Sequence, residues 1–450
     1  MSHPLKGLGN WWLPGQVGRS LPGAVHYSTS EGITLTTAGT LSPLEFHDHP
    51  ETDLAHPIIN GSTPMTEFLT LVDCSGVGYE FGGAGGTRAT YQAEYGITGV
   101  HLMNKTSPCF HRLSVRYSSL AEWLNKPAFE GPLLYLPDRT ANVVIDRHRD
   151  IPLRGWPEAE MGFHYGPKVH YIGNRALKVR ANAWVDLAFA GGASLQSALG
   201  LISSIADFLA FVTARATRVV WIASDPFMHT LYHHPQDVRI FRRGFGSNRR
   251  SHALTLPLVN FGKVEQDIDA IIANWLSKRE VLKPVVDLYL GLARSDGIPE
   301  NVRFLALSQA IEAYHRIRRP GKDLSEAQHL KRIAGIIQSV PPEARKWLAG
   351  KLEYSNDLTL RRRIQCLYEE FADILARFKQ DRGRFIDIVC NLRNYFTHYD
   401  LKTKSRIPDT IRVARVMRGL ECLLDICLMS ELGLPREQIA DFAWRRHSLS

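Results

Sequence analysis

Apolar positions change their period along this chain of 450 residues. Through about the first 260 residues they recur at alternate positions, in short runs punctuated by Gly, Pro, Asn and Asp. "EGITLTTAGTLS" (31–42) alternates around Ile33 and Leu35, between Gly32 and Gly39. "EFLTLVDCSG" (67–76) sets Phe68, Leu69 and Leu71 among threonines and ends in a turn. "ATYQAEYGITGVHL" (89–102), "HRLSVRYSSL" (111–120), "ANVVIDRHRD" (141–150), "HYIGNRALKVRA" (170–181) and "DVRIFRRG" (237–244) continue the series. A period of two carried by β-branched and aromatic residues marks half-buried strands, and their spacing predicts antiparallel, sandwich-like sheets. One long helix, about 194–215, interrupts them.

Near residue 262 the period lengthens to three and four. Ile268, Ile271, Ile272 and Trp275 share a helical face, and a second helix restarts after Pro284. "PENVRFLALSQAIEAYHRIR" (299–318) opens with Pro and carries Phe304, Leu305, Leu307, Ile311 and Tyr314 on one broad face. Ser325 and Gln328 have capping-box spacing, and "VPPEARKWLAGKLE" starts again after two prolines. Helical patterns follow at 360–378, 384–396 and 409–434, the last stopping at Gly433 and Pro435. The expectation is an α+β multidomain chain. Residues 1–260 form a β-rich domain, and residues 261–450 an all-α bundle of five or more helices. No repeat or low-complexity segment breaks this division.

Composition narrows the class. Hydrophobic residues at 44% and charged residues at 22% describe a globular chain. The formal charge of +9 permits a polyanionic partner without requiring one. Cys74, Cys109, Cys366, Cys390, Cys422 and Cys427 form no CxxC pair, so reduced thiols are expected rather than a zinc knuckle or disulfide framework. "MSHPLKGLGNWWLPG" lacks the apolar run of a secretory signal. The most apolar stretch, 195–223, carries Asp207, Arg215 and Arg218 and reads as a buried helix running into a strand. A cytoplasmic protein with no membrane partner is expected.

The stretch "IVCNLRNYFTHYD" (388–400) holds the most specific chemistry. RNA can be cut without a metal. A base takes the proton of the 2′-hydroxyl, an acid protonates the leaving 5′-oxygen, and a cation stabilises charge on the phosphoryl oxygens. The pKa of histidine suits the proton transfers, and the planar fork of arginine suits the phosphate. On a straight helix Arg393 and His398 stand about 140° apart, whereas Asn394 and His398 share a face. The first pair converges only if the helix ends here or if a second chain shares the cleft. Thr397-His398-Tyr399-Asp400-Leu401 has the character of a helix exit, with Lys402 and Lys404 beyond it. By spacing alone, the polar end of an ordinary helix is the better description.

"LRNYFTHYD" resembles the Arg-polar-x3-His signature of HEPN ribonucleases. "RFLALSQAIEAYHR" (303–316) and "GLECLLDICLMSELGL" (419–434) are similar to the first and closing helices of the HEPN domain in ApeA-like anti-phage proteins. "STSEGITLTTAGTL" and "IINGSTPMTEFLTLVDC" resemble the opening strands of that family's N-terminal domain. The resemblance spans most of the chain. It implies a dimeric, metal-independent endoribonuclease of bacterial phage defence, restrained by its N-terminal domain until a phage-derived trigger arrives. Host RNA, tRNA included, is cut and infection aborts. Arg393 becomes the phosphate ligand, His398 the acid/base and Asn394 the orienting polar residue. Glu312 is carried over as a candidate auxiliary group; Tyr399 is a second, adjacent to the motif but outside the family signature. The products are a 2′,3′-cyclic phosphate and a 5′-hydroxyl. No cofactor is expected, and no magnesium, because no carboxylate cluster stands in the sequence.

Other clusters have simpler readings. "VRIFRRGFGSNRR" (238–250) sets Arg239, Arg242, Arg243, Arg249 and Arg250 around Phe241 and Phe245, an RNA-facing patch or a basic loop. "YHRIRRPGK" (314–322) adds Arg316, Arg318, Arg319 and Lys322, either an electrostatic footprint or cations favoured at a helix C-terminus. With Lys402, Arg242, Arg243, Arg318 and Arg319 are the candidate RNA contacts. "FHDHPETDLAH" (46–56) and "LYHHPQD" (231–237) have metal-ligand residue types without ordered spacing and read as polar loops. "FGGAGGT" (81–87) lacks the Lys-Ser/Thr of a phosphate loop. Two alternatives stay open. One is a non-catalytic RNA- or protein-binding dimer. The other is a carbohydrate-binding or sugar-cleaving β domain using Trp11, Trp12, Glu94 or Asp146.

Overall fold

A computed structural model describes residues 5–42, 55–80, 87–107, 109–126, 149–153, 158–172, 176–224, 238–245, 257–295, 297–378, 381–399 and 409–448. The chain divides into two compact units, Met1–Leu254 with Asn260–Asp269 and Thr255–Val259 with Ala270–Ser450.

In the first unit the alternating pattern becomes β1 (Gly7–Trp12), β2 (Leu21–Ser28), β3 (Gly32–Thr37), β4 (His56–Thr63), β5 (Thr66–Glu80) and β6 (Arg88–Thr98). It continues as β7 (Phe110–Tyr117), β8 (Arg149–Leu153), β9 (Glu160–Ile172), β10 (Ala176–Ala193), β11 (Val219–Ser224) and β12 (Arg239–Arg242). Every pairing among the described residues is antiparallel, in the order β3-β2-β1-β4-β5-β6-β12-β11-β7-β10-β9-β8. A further pairing of β3 with β6 closes β1 to β6 into a barrel. One edge of β6 is divided: Ala89–Ala93 pair with β3, and Tyr95–Thr98 pair with β12. There the barrel ends and the open sheet begins. Alternation is common to sandwiches and barrels, and closure supplies the choice.

The barrel interior follows from the alternation. Trp11, Ile33, Leu35, Leu69, Leu71 and Tyr91 are fully buried in it. The Trp11 ring lies over Gly61, where a Cβ would stand 2.2 Å from it, so only glycine fits. Trp11 is therefore core and has no face for a sugar. Helix α1 (Leu120–Leu124) places Trp123 edge-on to Phe163 and Phe208. Helix α2 (Leu195–Thr213) is capped by the Ser194 side chain. It is long and apolar enough to cross a membrane, but two thirds of its apolar window (67%) is buried in the protein, and it leads into β11 as the sequence indicates.

The rest of the described chain is helical: α3 (Phe261–Val264), α4 (Ile268–Lys278), α5 (Lys283–Arg294), α6 (Glu300–Arg318), α7 (Glu326–Gln338), α8 (Pro342–Leu352) and α9 (Leu360–Glu370). Then come α10 (Ala372–Leu375), α11 (Arg382–His398), α12 (Thr410–Glu431) and α13 (Arg436–His447). Antiparallel β followed by a helical bundle is the expected fold class. Ser325 and Gln328 make the complete capping box, and Pro284 stands in the first turn of α5. Phe304, Leu307, Ile311 and Tyr314 of α6 meet the stripes of α9, α11 and α12 in the bundle core. Helices α7 and α8 bury no residue, and Asn356 joins the base of their hairpin to Leu324 in both directions, at 2.9 and 3.1 Å.

Two buried carboxylates on α12 tie the bundle. Asp425, with no exposure, accepts from Tyr289 and lies 2.8 Å from His447 Nε2 and 3.2 Å from Arg446 Nε. Burial pushes its pKa up, but Arg446, His447 and Tyr289 outweigh that and hold it below the usual range. Glu431 accepts from Tyr314 at 3.0 Å and Arg318 at 2.8 Å, with Lys278 Nζ 3.2 Å away. These partners likewise overcome burial and keep its carboxyl below the usual range.

Candidate active site

Helix α11 carries the candidate chemistry. The Asp381 side chain caps its start, accepting from Arg384 N at 3.0 Å. Phe385, Ile386, Val389 and Leu392 form its buried stripe and fix its rotation in the bundle. Asn394, Thr397 and His398 consequently face solvent, and Arg393 is half-buried. The helix runs without interruption through His398. It stops because Tyr399 turns left-handed (φ 49°), its N–H donating to Tyr395 O at 2.6 Å. The expected helix exit is thus one residue beyond the histidine.

Five residues of regular helix keep Arg393 and His398 about 140° apart. No hydrogen bond or ion pair joins them among the described residues. Asn394 and His398 share a face, as the spacing indicates. Arg393 has no carboxylate partner among the described residues. Its charge is felt at Cys390, whose thiol is pushed up by burial and drawn back by Arg361 and Arg393. Thr397 Oγ1 donates to Arg393 O at 2.7 Å, which leaves the guanidinium unengaged by that contact.

Helix α6 backs this end of α11. Phe304 meets Phe396 edge-on at 5.6 Å, and Asn301 Nδ2 donates to the Tyr399 hydroxyl at 2.9 Å. Between Asn301 and Phe304 in sequence, Arg303 places Nε and Nη2 on Glu421 Oε1, at 3.1 and 2.6 Å. No sequence signal pairs Asn301 with Tyr399, because they stand 98 residues apart.

The other candidate residues lie elsewhere. Glu312 is eight residues beyond Phe304, about 12 Å of helix rise, and pairs with Arg316 at 3.5 Å. Arg318 is held by Glu431, and Arg319 forks onto Glu370, with Nε 2.9 Å from Oε2. Arg242 pairs with Glu94 and lies 5.1 Å from the centre of the Tyr95 ring. Arg243 Nε donates to Ser30 O at 2.8 Å. Each of these arginines has an intramolecular partner that accounts for its position. Lys402, Lys404, Arg249, Arg250, Asp146, the 81–86 glycine tip, the 231–237 segment and most of 46–56 lie outside the described residues. His56 is buried, and burial pushes its pKa down.

Residues 305–438 match the model of the Apea-like HEPN family, and residues 7–275 match that of ApeA N-terminal domain 1. No curated protein and no solved structure matches the chain significantly.

Proposed function

The chain belongs to the ApeA-like HEPN family, and on that footing we propose that it is an anti-phage nuclease whose helical unit cuts host RNA without a metal ion. The observation that carries the reading is the end of α11. A guanidinium with no carboxylate partner among the described residues and a solvent-facing imidazole stand five residues apart, inside the segment matched as HEPN.

Arg393 binds the scissile phosphate through its fork and stabilises the charge that develops on the non-bridging oxygens. The 2′-oxygen attacks phosphorus as its proton passes to a base. The bond to the 5′-oxygen breaks, and that oxygen takes a proton from an acid. His398 serves this proton traffic, and Asn394, on its face of the helix, orients the phosphate or the imidazole. The products are a 2′,3′-cyclic phosphate and a 5′-hydroxyl. The angular separation of Arg393 and His398 favours a cleft completed by a second copy, in which α11 of one chain supplies the group that the other turns away. The β-rich unit restrains the nuclease until a phage-derived trigger relieves it.

The test is cleavage of total bacterial RNA, tRNA included, in EDTA, by the full chain beside His398→Ala, with and without lysate of phage-infected cells. Fragments with cyclic-phosphate ends made only by the wild type support the reading. Silence in every condition, or cutting by His398→Ala, refutes it.

A further inference from the structure

Tyr399 occupies a left-handed position that favours glycine, as Asn125 and Ala214 do at two other helix ends. It is the residue after a helix, at φ 49°, where an L side chain crowds its own backbone. Glycine there would carry no such cost. An aromatic residue kept in a strained conformation beside a candidate active site calls for a compensating role. Its contacts hold the ring without covering it. The hydroxyl accepts from Asn301 Nδ2 at 2.9 Å, and the ring lies 5.5 Å from that of Tyr395 at 59°. Tyr399 nevertheless stays 55% exposed. It follows His398 directly, and its ring lies beside that of Tyr395, three residues before His398, so ring and imidazole belong to the same end of α11.

Resting on the ribonuclease reading above, we propose that Tyr399 is the stacking platform for a nucleobase flanking the scissile phosphate. In-line attack requires the 2′-oxygen to stand opposite the 5′-oxygen, an arrangement that ordinary base stacking opposes. Unstacked bases are held on aromatic faces in single-stranded RNA recognition, without choice of base, because every base has a π face. The Asn301 hydrogen bond fixes the ring before RNA arrives, so less order has to be imposed on binding.

The test separates this role from a structural one, because the two predict opposite behaviour. In the full-length His398→Ala background, which does not consume its ligand, affinity is measured for a single-stranded oligoribonucleotide carrying 2-aminopurine. Its fluorescence falls on stacking. Adding Tyr399→Gly relieves the backbone and should leave the melting temperature equal or higher, yet weaken binding about tenfold or more and abolish the quenching. Tyr399→Phe, which keeps the ring and loses only the Asn301 hydrogen bond, should keep the quenching and lose much less affinity than Tyr399→Gly. Tyr399→Asn, which tolerates the left-handed conformation without a ring, should behave as Tyr399→Gly and stands in for it should that variant fold poorly. RNA bound and quenched by Tyr399→Gly or Tyr399→Asn as by the parent overturns the stacking role alone. Failure of the His398→Ala parent to bind RNA both with and without lysate of phage-infected cells overturns the ribonuclease reading and this inference with it.

Discussion

Acid should weaken the helical unit through one buried histidine. His315 of α6 is 2% exposed, and its Nδ1 lies 3.3 Å from Arg363 Nη1. A guanidinium only donates, so Nδ1 accepts and the imidazole is neutral with its proton on Nε2. Burial first, then the positive charges of Arg363, Arg319 and Arg362 against the opposing Glu370, push its pKa down to about 4. In the unfolded chain the value returns to about 6.5. Between those values the unfolded chain takes a proton that the folded one refuses. The stability contribution is therefore whole above the unfolded value and is lost as pH falls. The loss is about 2 kcal/mol between pH 7 and pH 5, rising to about 3 kcal/mol at pH 4. The assay is urea unfolding followed by helical circular dichroism at pH 7, 6 and 5, for the wild type and His315→Gln. The amide can accept from Arg363 and does not titrate. Subtracting the two profiles removes Asp425, Glu431 and every other group common to both. Wild-type stability should fall about 2 kcal/mol further than that of the variant from pH 7 to 5. Parallel profiles would show that His315 takes its proton in the folded state and would refute the reasoning.

Four further outcomes follow. Arg393→Ala and His398→Ala should each abolish RNA cutting and toxicity while moving the melting temperature little, because neither side chain joins the buried stripe of α11. Mixed together, the two variants should regain about a quarter of wild-type cutting if each cleft takes its groups from two copies, and none if both come from one; an RNA-cleavage assay on subunit-exchanged mixtures reads the difference. Gly61→Val drives a side chain into the Trp11 ring and should cost about 1–3 kcal/mol or more of β-unit stability, measured by tryptophan fluorescence in denaturant. Asp425→Ala leaves the Arg446 cation without its buried carboxylate and should cost about 3–5 kcal/mol, read by calorimetry, whereas an unchanged transition would mean that the cluster contributes nothing net.

Local order was legible and long-range order was not. The Ser325–Gln328 box, the prolines at 284, 299 and 341 and the apolar stripes of α6 and α11 are written in neighbouring residues, so the helices could be read with their ends. Barrel closure joins Ile33 to Ala93, a pairing that alternation at either end does not specify. The first strand has little signature of its own, because its one inward anchor, Trp11, owes its place to Gly61 on a different strand. Arg318 and Arg319 read as a basic patch because their carboxylates, Glu431 and Glu370, lie 113 and 51 residues away. The Arg393 to His398 spacing and the helix exit were visible. The aromatic and amide contacts that fasten that exit to α6 were not.

These partnerships change what the net charge means. A formal +9 suggests a diffuse affinity for polyanions, yet Arg242, Arg303, Arg318 and Arg319 each engage a carboxylate within their own unit. A paired guanidinium must give up that partner before it can hold a phosphate, and the exchange returns little net attraction. Arg393 faces no such exchange among the described residues. Its availability, rather than the total charge, is what supports the proposed contact between the end of α11 and an RNA backbone. The regular helix that presents Arg393 also turns His398 away from it, so one phosphate cannot be served symmetrically from one face. In the proposed dimer, two antiparallel copies of the same helix would remove that conflict, each setting its arginine opposite the other's histidine.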